Sequence, residues 1–113
     1  MLAKANRLVT ADDYRRLVRR GRRITTEHAV VYLARADSAS APRFGFIVAK
    51  SVGVAVKRNL VRRRLKALSF EALDRLAPGT EIVIRALPGA AQASWANLRS
   101  EISEALGGGE TRR

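Results

Sequence analysis

Cysteine is absent from this chain of 113 residues, and histidine and tryptophan occur once each. Without thiolates, the sequence excludes a cysteine nucleophile, a cysteine-ligated zinc site, an iron–sulfur cluster and a disulfide-stapled secreted scaffold. No apolar run approaches the roughly 20 residues that span a bilayer, and residues 1–7 carry charges where a signal peptide would be apolar. We therefore expect a soluble, cytoplasmic, unprocessed protein with no membrane partner.

Acidic residues are scarce relative to basic ones. The chain has 22 Lys and Arg against 10 Asp and Glu, a formal net charge of +12. Residues 1–66 hold 17 of these bases and only 4 of the acids, and 18 of the 22 bases are Arg, whose planar guanidinium suits phosphate and base edges. Basic helices that bind membrane surfaces place Trp, Phe and Leu on one face, whereas Trp95 lies in the uncharged second half. The composition predicts a polyanionic partner.

Hydrophobic periodicity predicts one α/β (α+β) sandwich with the element order α-β-β-β-α-β-α and a four-stranded sheet packed by helices. After a basic arm to about Val9, the predicted elements are a helix from a Thr10 cap to Gly21, strands at 22–26, 28–34 and 44–49, a helix at 54–76, a strand at 81–86 and a helix from a Ser94 cap to about residue 106. Residues 1–106 are thus expected to form one domain, and 107–113 a flexible tail.

The predicted core follows from the same periodicities. In strand 28–34 the even-numbered residues face one side and the odd-numbered residues face the other. The long helix has an apolar row at helical spacing, and the last helix has a second one. These rows are Val61, Leu65, Leu68 and Ala72, and then Trp95, Leu98, Ile102 and Leu106. We also expect Phe44, Phe46 and Phe70 in the core.

The long helix carries its polar residues on one arc beside the apolar row. This arc contains Arg58, Asn59, Arg62, Arg63 and Lys66. Solvated helices normally interleave acids with bases, yet residues 51–70 contain no acid, so the like charges repel one another. An anionic partner would relieve that repulsion.

Catalytic interpretations are weaker. Residues 45–51 resemble a phosphate-binding loop only faintly, because the second glycine is missing. His28 has no acidic partner evident in the sequence and is expected to be an ordinary strand histidine. Asp12 and Asp13 are explained as helix-capping acids, and Glu101 and Glu104 as part of a solvated face. The sequence therefore predicts no catalytic and no metal-ligating residue.

Residues 43–63 resemble the bacterial ribonuclease P protein subunit. The motif consists of Lys50 after a strand, Gly53, the pair Arg58-Asn59 and the two bases Arg62 and Arg63. The resemblance extends to the first helix ending at Gly21 and to strands 29–34 and 82–86. The family's Arg-Asn-Arg signature reads Arg58-Asn59-Leu60 here, and Leu60 lies outside the polar arc.

The resemblance implies a cofactor protein in a ribonucleoprotein whose RNA subunit removes the 5′ leader from precursor tRNA. It implies partners (ribonuclease P RNA and precursor tRNA), Mg²⁺ acting with the RNA subunit, no cofactor bound by the protein alone, and a left-handed crossover between strands three and four. The implied contacts to the catalytic RNA are Lys50, Lys57, Arg58, Asn59, Arg62, Arg63 and Lys66. The implied contacts to the leader are Tyr14, Val18, Val30, Tyr32 and Arg85.

A basic ribosomal or nucleic-acid packaging protein is the alternative, since it would share the charge and the lack of catalytic groups. Such a protein should bind duplexes at least as well as single strands, whereas a ribonuclease P subunit should need a structured catalytic RNA.

Overall fold

A four-stranded mixed sheet in the order β1-β2-β4-β3 organises the structure, a computed structural model that describes residues 2–36 and 39–111. The strands are β1 (Arg22–Thr25), β2 (Ala29–Arg35), β3 (Arg43–Ile47) and β4 (Thr80–Ala86). The helices are α1 (Ala11–Arg20), α2 (Ala55–Ala72) and α3 (Trp95–Thr111). The predicted class and element order are confirmed.

The predicted helix caps form. The Thr10 side chain accepts a hydrogen bond from the backbone N–H of Asp13 at 3.1 Å, and Ser94 Oγ accepts one from Asn97 N at 3.0 Å. Each hydroxyl satisfies an N–H that the first helical turn leaves without a partner. The ends of β3 and α2 differ from the prediction: short 3-10 helices at Lys50–Val52 and Leu73–Arg75 flank α2.

Strand β4 lies between β2 and β3. It pairs antiparallel with β2, Val31 opposite Ile84, and parallel with β3, Phe44 opposite Ile82. Parallel neighbours need a crossover connection, and α2 supplies it. The left-handed sense of this crossover stays a prediction from the resemblance.

The alternation along β2 separates two apolar clusters, as predicted. Ala29 and Val31 belong to the larger cluster with α2 and α3, whereas Val30 and Tyr32 pack with Leu17 of α1 on the opposite face. The sheet is therefore covered by helices on both faces.

The predicted core rows of α2 and α3 are largely correct. All four predicted residues of α2 are buried, as are Leu98, Ile102 and Leu106 of α3. The expectation for two aromatic residues is wrong: Trp95 is 38% exposed and Phe70 is 49% exposed. Phe70 lies on the side of α2 opposite the apolar row, and Trp95 lies in its row but is the first residue of α3.

The N-terminal arm (residues 2–9) is more than a basic extension. Leu2 and Leu8 are buried, and Arg7 forms a parallel bridge with Phe44 at the free edge of β3. The Leu8 backbone N–H donates to the Phe44 carbonyl at 2.8 Å. Two leucines among charges gave no periodic signal, so the sequence did not reveal this contact.

Helix α3 includes residues 107–111 of the predicted flexible tail, while residues 112 and 113 lie outside the described residues. The mobility of this tail stays a prediction. Among the described helices, none has the length and apolar character needed to cross a membrane.

Shortening Leu65 tests the core row of α2. Leu65 is fully buried, so Leu65→Ala should lower the free energy of unfolding by about 2–5 kcal/mol, because it leaves a cavity. Arg63→Ala, on the exposed face of the same helix, should change it by less than about 0.5 kcal/mol. Urea denaturation, monitored by circular dichroism, measures the free energy of unfolding of both variants. Equal losses of stability would show that the core-facing residues of α2 are wrongly assigned.

Candidate RNA interface

The polar arc of α2 forms a surface strip that we call the polar stripe: Arg58, Asn59, Arg62, Arg63 and Lys66. Lys57 precedes the stripe and lies on the other side of the apolar row. All six are exposed or half-buried. Arg58 Nε donates to the Gly53 carbonyl at 3.1 Å, and Arg62 Nη1 donates to Asn59 Oδ1 at 3.3 Å. Among the described side chains, neither Lys57 nor any of the stripe's four bases forms an ion pair, so their charge is available to an external anion.

Gly53 sets the turn that leads into the stripe. Its φ of 152° and ψ of −171° lie in a region that side chains disfavour, and a Cβ there would come within 3.2 Å of Lys57 Cβ. This turn lets the Gly53 carbonyl accept from Arg58 and follows the short helix that carries exposed Lys50. Lys50 and the stripe therefore lie on either side of one rigid turn.

A second surface, which we call the α1 groove, lies where α1 crosses the sheet. Tyr14 and Val18 are four residues apart on one face of α1, and Val18 is 38% exposed. Exposed Arg85 shares its face of β4 with Val83, which packs in the same cluster as Leu17. The groove thus combines apolar walls with the exposed guanidinium of Arg85.

Tyr14 is held at the rim of this groove by a glycine. A Cβ at Gly45 would lie 2.5 Å from Tyr14 Cζ, so only glycine lets the ring approach β3 this closely. The Tyr14 hydroxyl accepts a hydrogen bond from the Phe46 backbone N–H at 3.2 Å. The ring is half-buried, and both contacts hold its hydroxyl end.

Two residues expected to contact the leader are core residues in this structure. Val30 is buried and Tyr32 is only 3% exposed, both beneath α1. As placed, they build the floor that supports Tyr14 and offer no stacking surface to a ligand. Alternation predicted their face of the sheet but not that Leu8 and Leu17 cover that face.

A charge network that sequence reasoning missed fastens α1 to the sheet. The Glu81 side chain in β4 is 3% exposed. Arg16 Nη1 of α1 donates to Glu81 Oε1 at 2.8 Å, and Arg43 of β3 pairs with Glu81 Oε2. Arg16 Nη2 also donates to Asp13 Oδ1 at 3.0 Å. We call Glu81, Arg16 and Arg43 the carboxylate clamp.

Two pKa shifts reflect this network. The hydrogen bond to Glu81, followed by the one to Asp13, raises the pKa of the Arg16 guanidinium above its ordinary value. The Thr10 hydroxyl, followed by Arg16, lowers the pKa of the Asp13 carboxyl. Arg16 is therefore committed to holding α1, and its charge is largely neutralised locally.

His28 has an acidic partner, contrary to the expectation from sequence. Its Nδ1 lies 2.6 Å from Glu101 Oε2, and its backbone N–H donates to Glu101 Oε1 at 2.9 Å. Glu101 also accepts from the Thr26 hydroxyl at 2.8 Å, so it is not part of a solvated face. The partners are more than 70 residues apart, a separation that no local pattern reveals. The contacts fasten α3 to the β1–β2 turn.

Among the described residues, Glu27, His28 and Glu101 are also the group whose ligand atoms, within 4.8 Å of one another, could hold a metal ion. The Glu101 oxygens are already engaged by Thr26 and His28. That leaves His28 Nε2 and the Glu27 carboxylate, two ligands where structural zinc sites use four.

The hydrogen bonds to Glu101 lower the pKa of its carboxyl. Partial burial alone would raise the pKa of its carboxyl, but the hydrogen bonds from the His28 ring, the His28 backbone and Thr26 outweigh burial and lower it. The carboxylate is thus the form that stabilises the fold.

Comparison with known proteins gives one consistent result. The family model described as Ribonuclease P matches residues 2–108. The chain is 52% identical to the ribonuclease P protein component of Clavibacter michiganensis over 106 residues, 94% of each chain. It is 44% identical to that of Beutenbergia cavernae, covering 94% of this chain and 89% of the relative. The resemblance stated from sequence is confirmed.

A solved structure shows the same fold. The RNase P protein of Staphylococcus aureus superimposes with a TM-score of 0.81 at 22% identity, over 91% of this chain and 93% of that one. At this identity the likeness supports the architecture alone.

Glu81→Gln tests the carboxylate clamp. The substitution keeps the shape but replaces charge-assisted hydrogen bonds with neutral ones, so we expect a loss of about 1.5–3 kcal/mol in the free energy of unfolding. Amide hydrogen exchange should accelerate in α1 more than in α3. Asp74→Asn, an exposed acid after α2, is the control. Unchanged protection of α1 would show that the clamp does not hold it.

Glu101→Gln should destabilise the protein in a pH-dependent manner. Because the folded-state pKa of Glu101 lies below its ordinary value of 4.5, its stabilisation is present above pH 4.5 and is lost as pH falls through the folded pKa. The variant should unfold about 1–3 kcal/mol more easily at pH 7, and the difference should shrink toward acid. Urea titrations between pH 7 and about 3 measure this. Glu104→Gln should show no such trend. If the stability difference between Glu101→Gln and the wild type stayed constant with pH, the lowered pKa of Glu101 would be refuted.

Proposed function

As this chain belongs to the ribonuclease P protein family, we propose that it binds the RNA subunit with its polar stripe, Lys50 and Lys57, and the 5′ leader of precursor tRNA in the α1 groove. The protein component of ribonuclease P acts in tRNA processing and binds RNA. The proposal concerns which surface meets which RNA.

One observation carries the proposal: the bases of the polar stripe have no acidic partner among the described side chains, although other bases of the chain do. Arg16 and Arg43 are neutralised by Glu81, and Arg99 pairs with Glu71 at 3.2 Å. Unpaired bases on one helix face concentrate positive potential, which attracts a folded polyanion.

The α1 groove suits a single strand rather than a duplex. Apolar and aromatic surface at Tyr14 and Val18 accepts bases whatever their identity, and Arg85 supplies charge for one phosphate. A leader of variable sequence needs this tolerance. Val30 and Tyr32 support the groove from beneath.

Hydrolysis is assigned to the RNA subunit with Mg²⁺. Proteins hold Mg²⁺ mainly through carboxylates, and neither the polar stripe nor the α1 groove as defined here contains one. The protein's part is to position RNA and reduce repulsion between the RNA subunit and its substrate. We place this activity in the cytoplasm. The ribosomal or packaging alternative is not favoured, because the relatives are ribonuclease P protein components.

Reconstitution tests the function directly. Added to a bacterial ribonuclease P RNA at low Mg²⁺, the chain should restore cleavage of precursor tRNA at the mature 5′ end. A ribosomal protein of matched charge is the control. Equal stimulation by that control would contradict a specific role.

Two sets of substitutions separate the surfaces. Replacing Arg62 and Arg63 with Ala should weaken binding of the RNA subunit by about 1–3 kcal/mol per strong contact, because two charged contacts are lost. The fold should remain intact, since both residues lie off the apolar row. Arg85→Ala should leave that binding unchanged but reduce the affinity of the holoenzyme for leader-bearing tRNA. For leader-bearing tRNA, the slope of log affinity against log salt concentration should become shallower by about 0.7, the value for one phosphate on a single strand.

Mature tRNA is the control substrate, and Arg75→Ala, an exposed arginine outside both surfaces, is the control variant. Fluorescence anisotropy measures all affinities. If Arg85→Ala weakened mature and leader-bearing tRNA equally, the groove assignment would be wrong.

A further inference from the structure

A cavity of about 210 Å³ lies at the free edge of β3, bordered by the N-terminal arm, α1 and α2. Its walls include Leu8 of the arm, Tyr14 of α1 and Phe46 of β3. Pockets for drug-sized ligands begin at about 300 Å³. This cavity therefore has room for one ring with its substituents, not for a length of strand.

Three aromatic rings line the cavity, those of Tyr14, Phe44 and Phe46, and contacts with their neighbours orient them. Tyr14 packs against Gly45, and its hydroxyl accepts the Phe46 backbone N–H. The Phe46 ring is parallel to Phe44, with an interplanar angle of 4° and centroids 6.3 Å apart. A ligand that stacks on these rings would not have to immobilise them first, so little conformational entropy is lost on binding.

Among the described residues that line the cavity, every charged one is positive. These residues are Arg7, Arg62 and Lys66. Arg7 Nη2 donates to the Leu2 carbonyl at 3.2 Å, and Arg62 Nη1 donates to the Asn59 side-chain oxygen. These acceptors are neutral, so they orient the guanidinium groups without cancelling their charge. Aromatic walls with unneutralised bases match a ring that carries an anionic group.

We infer that this nucleotide cavity takes a single nucleotide of a bound RNA strand, with the base against Tyr14 and Phe46 and the phosphate near Arg7, Arg62 and Lys66. The inference rests on the proposed function, since it deepens how RNA is held. Arg62 and Lys66 belong to the polar stripe and Tyr14 to the α1 groove. The cavity therefore lies where the two proposed RNA surfaces adjoin, and the nucleotide comes from the RNA subunit or from the leader.

Titration of the free protein tests the cavity without any catalytic RNA. In ¹H–¹⁵N NMR spectra, uridine 5′-monophosphate and adenosine 5′-monophosphate should cause saturable shifts centred on the backbone of Leu8 and Phe46. Uridine alone and inorganic phosphate alone should each bind at least fivefold more weakly. Shifts confined to other parts of the protein, or equal effects of phosphate alone, would overturn the inference.

Matched variants locate the binding. Phe46→Leu removes the stacking ring and should weaken mononucleotide binding at least fivefold, whereas Phe70→Leu, an exposed ring outside the cavity, should stay within twofold. Arg7→Gln changes an exposed side chain and should weaken binding about threefold or more, with Arg75→Gln as its control. If Phe46→Leu fails to fold, as judged by circular dichroism, Arg7→Gln decides. Unchanged binding in that variant would refute the site.

Crosslinking in the holoenzyme identifies the source of the nucleotide. In one arm 4-thiouridine is placed in the RNA subunit, and in the other arm it is placed in the leader. Crosslinks to the peptide that contains Phe46 in either arm support the cavity and name the RNA, whereas Tyr14 does not discriminate because it also lies in the α1 groove. Restored cleavage without a crosslink to the Phe46 peptide would refute the cavity and leave the proposed function standing. Failed reconstitution with intact mononucleotide binding would refute only the function.

Discussion

Removing a carboxylate from water costs several kcal/mol unless positive partners and hydrogen bonds replace the lost hydration. Glu81 meets this requirement with Arg16 from α1 and Arg43 from β3. The three groups come from a helix, an edge strand and a central strand, so satisfying one charge fixes three elements relative to one another. The shape of the α1 groove depends on this fixed placement of α1, β3 and β4. It determines the width of the groove, the position of Tyr14 and the floor formed by Val30 and Tyr32.

The same residue type therefore serves two purposes in this chain. An arginine near an acid contributes to the fold, as Arg16 and Arg99 do. An arginine on the polar stripe has no such acid among the described side chains, so its charge is available to an external anion. The count of 22 bases includes both kinds and so overstates the positive charge available for binding. The division depends on tertiary contacts, because Glu81 lies 65 residues from Arg16 along the sequence.

Local patterns predicted the elements, and the contacts that join elements were not predictable from them. The Thr10 cap, the alternation in β2 and the row containing Leu65 each follow from spacing within a few residues. By contrast, the pairing of His28 with Glu101 and the Glu81 clamp join distant segments through polar groups that have no periodicity. The stripe was predictable because a helix fixes its own angular order, whereas the burial of Tyr32 depends on what covers its strand.

The N-terminal arm has a consequence for the protein before it meets RNA. An open sheet invites a second chain to add a strand at either edge. Along β3, Arg7 and Leu8 occupy the hydrogen-bonding position at Phe44, and the Tyr14 hydroxyl takes the next N–H at Phe46. The opposite edge, β1, is four residues long and exposes the charges of Arg22 and Arg23. Self-association through strand pairing is thus disfavoured at both edges, which suits a protein that must remain dispersed until a polyanion neutralises it.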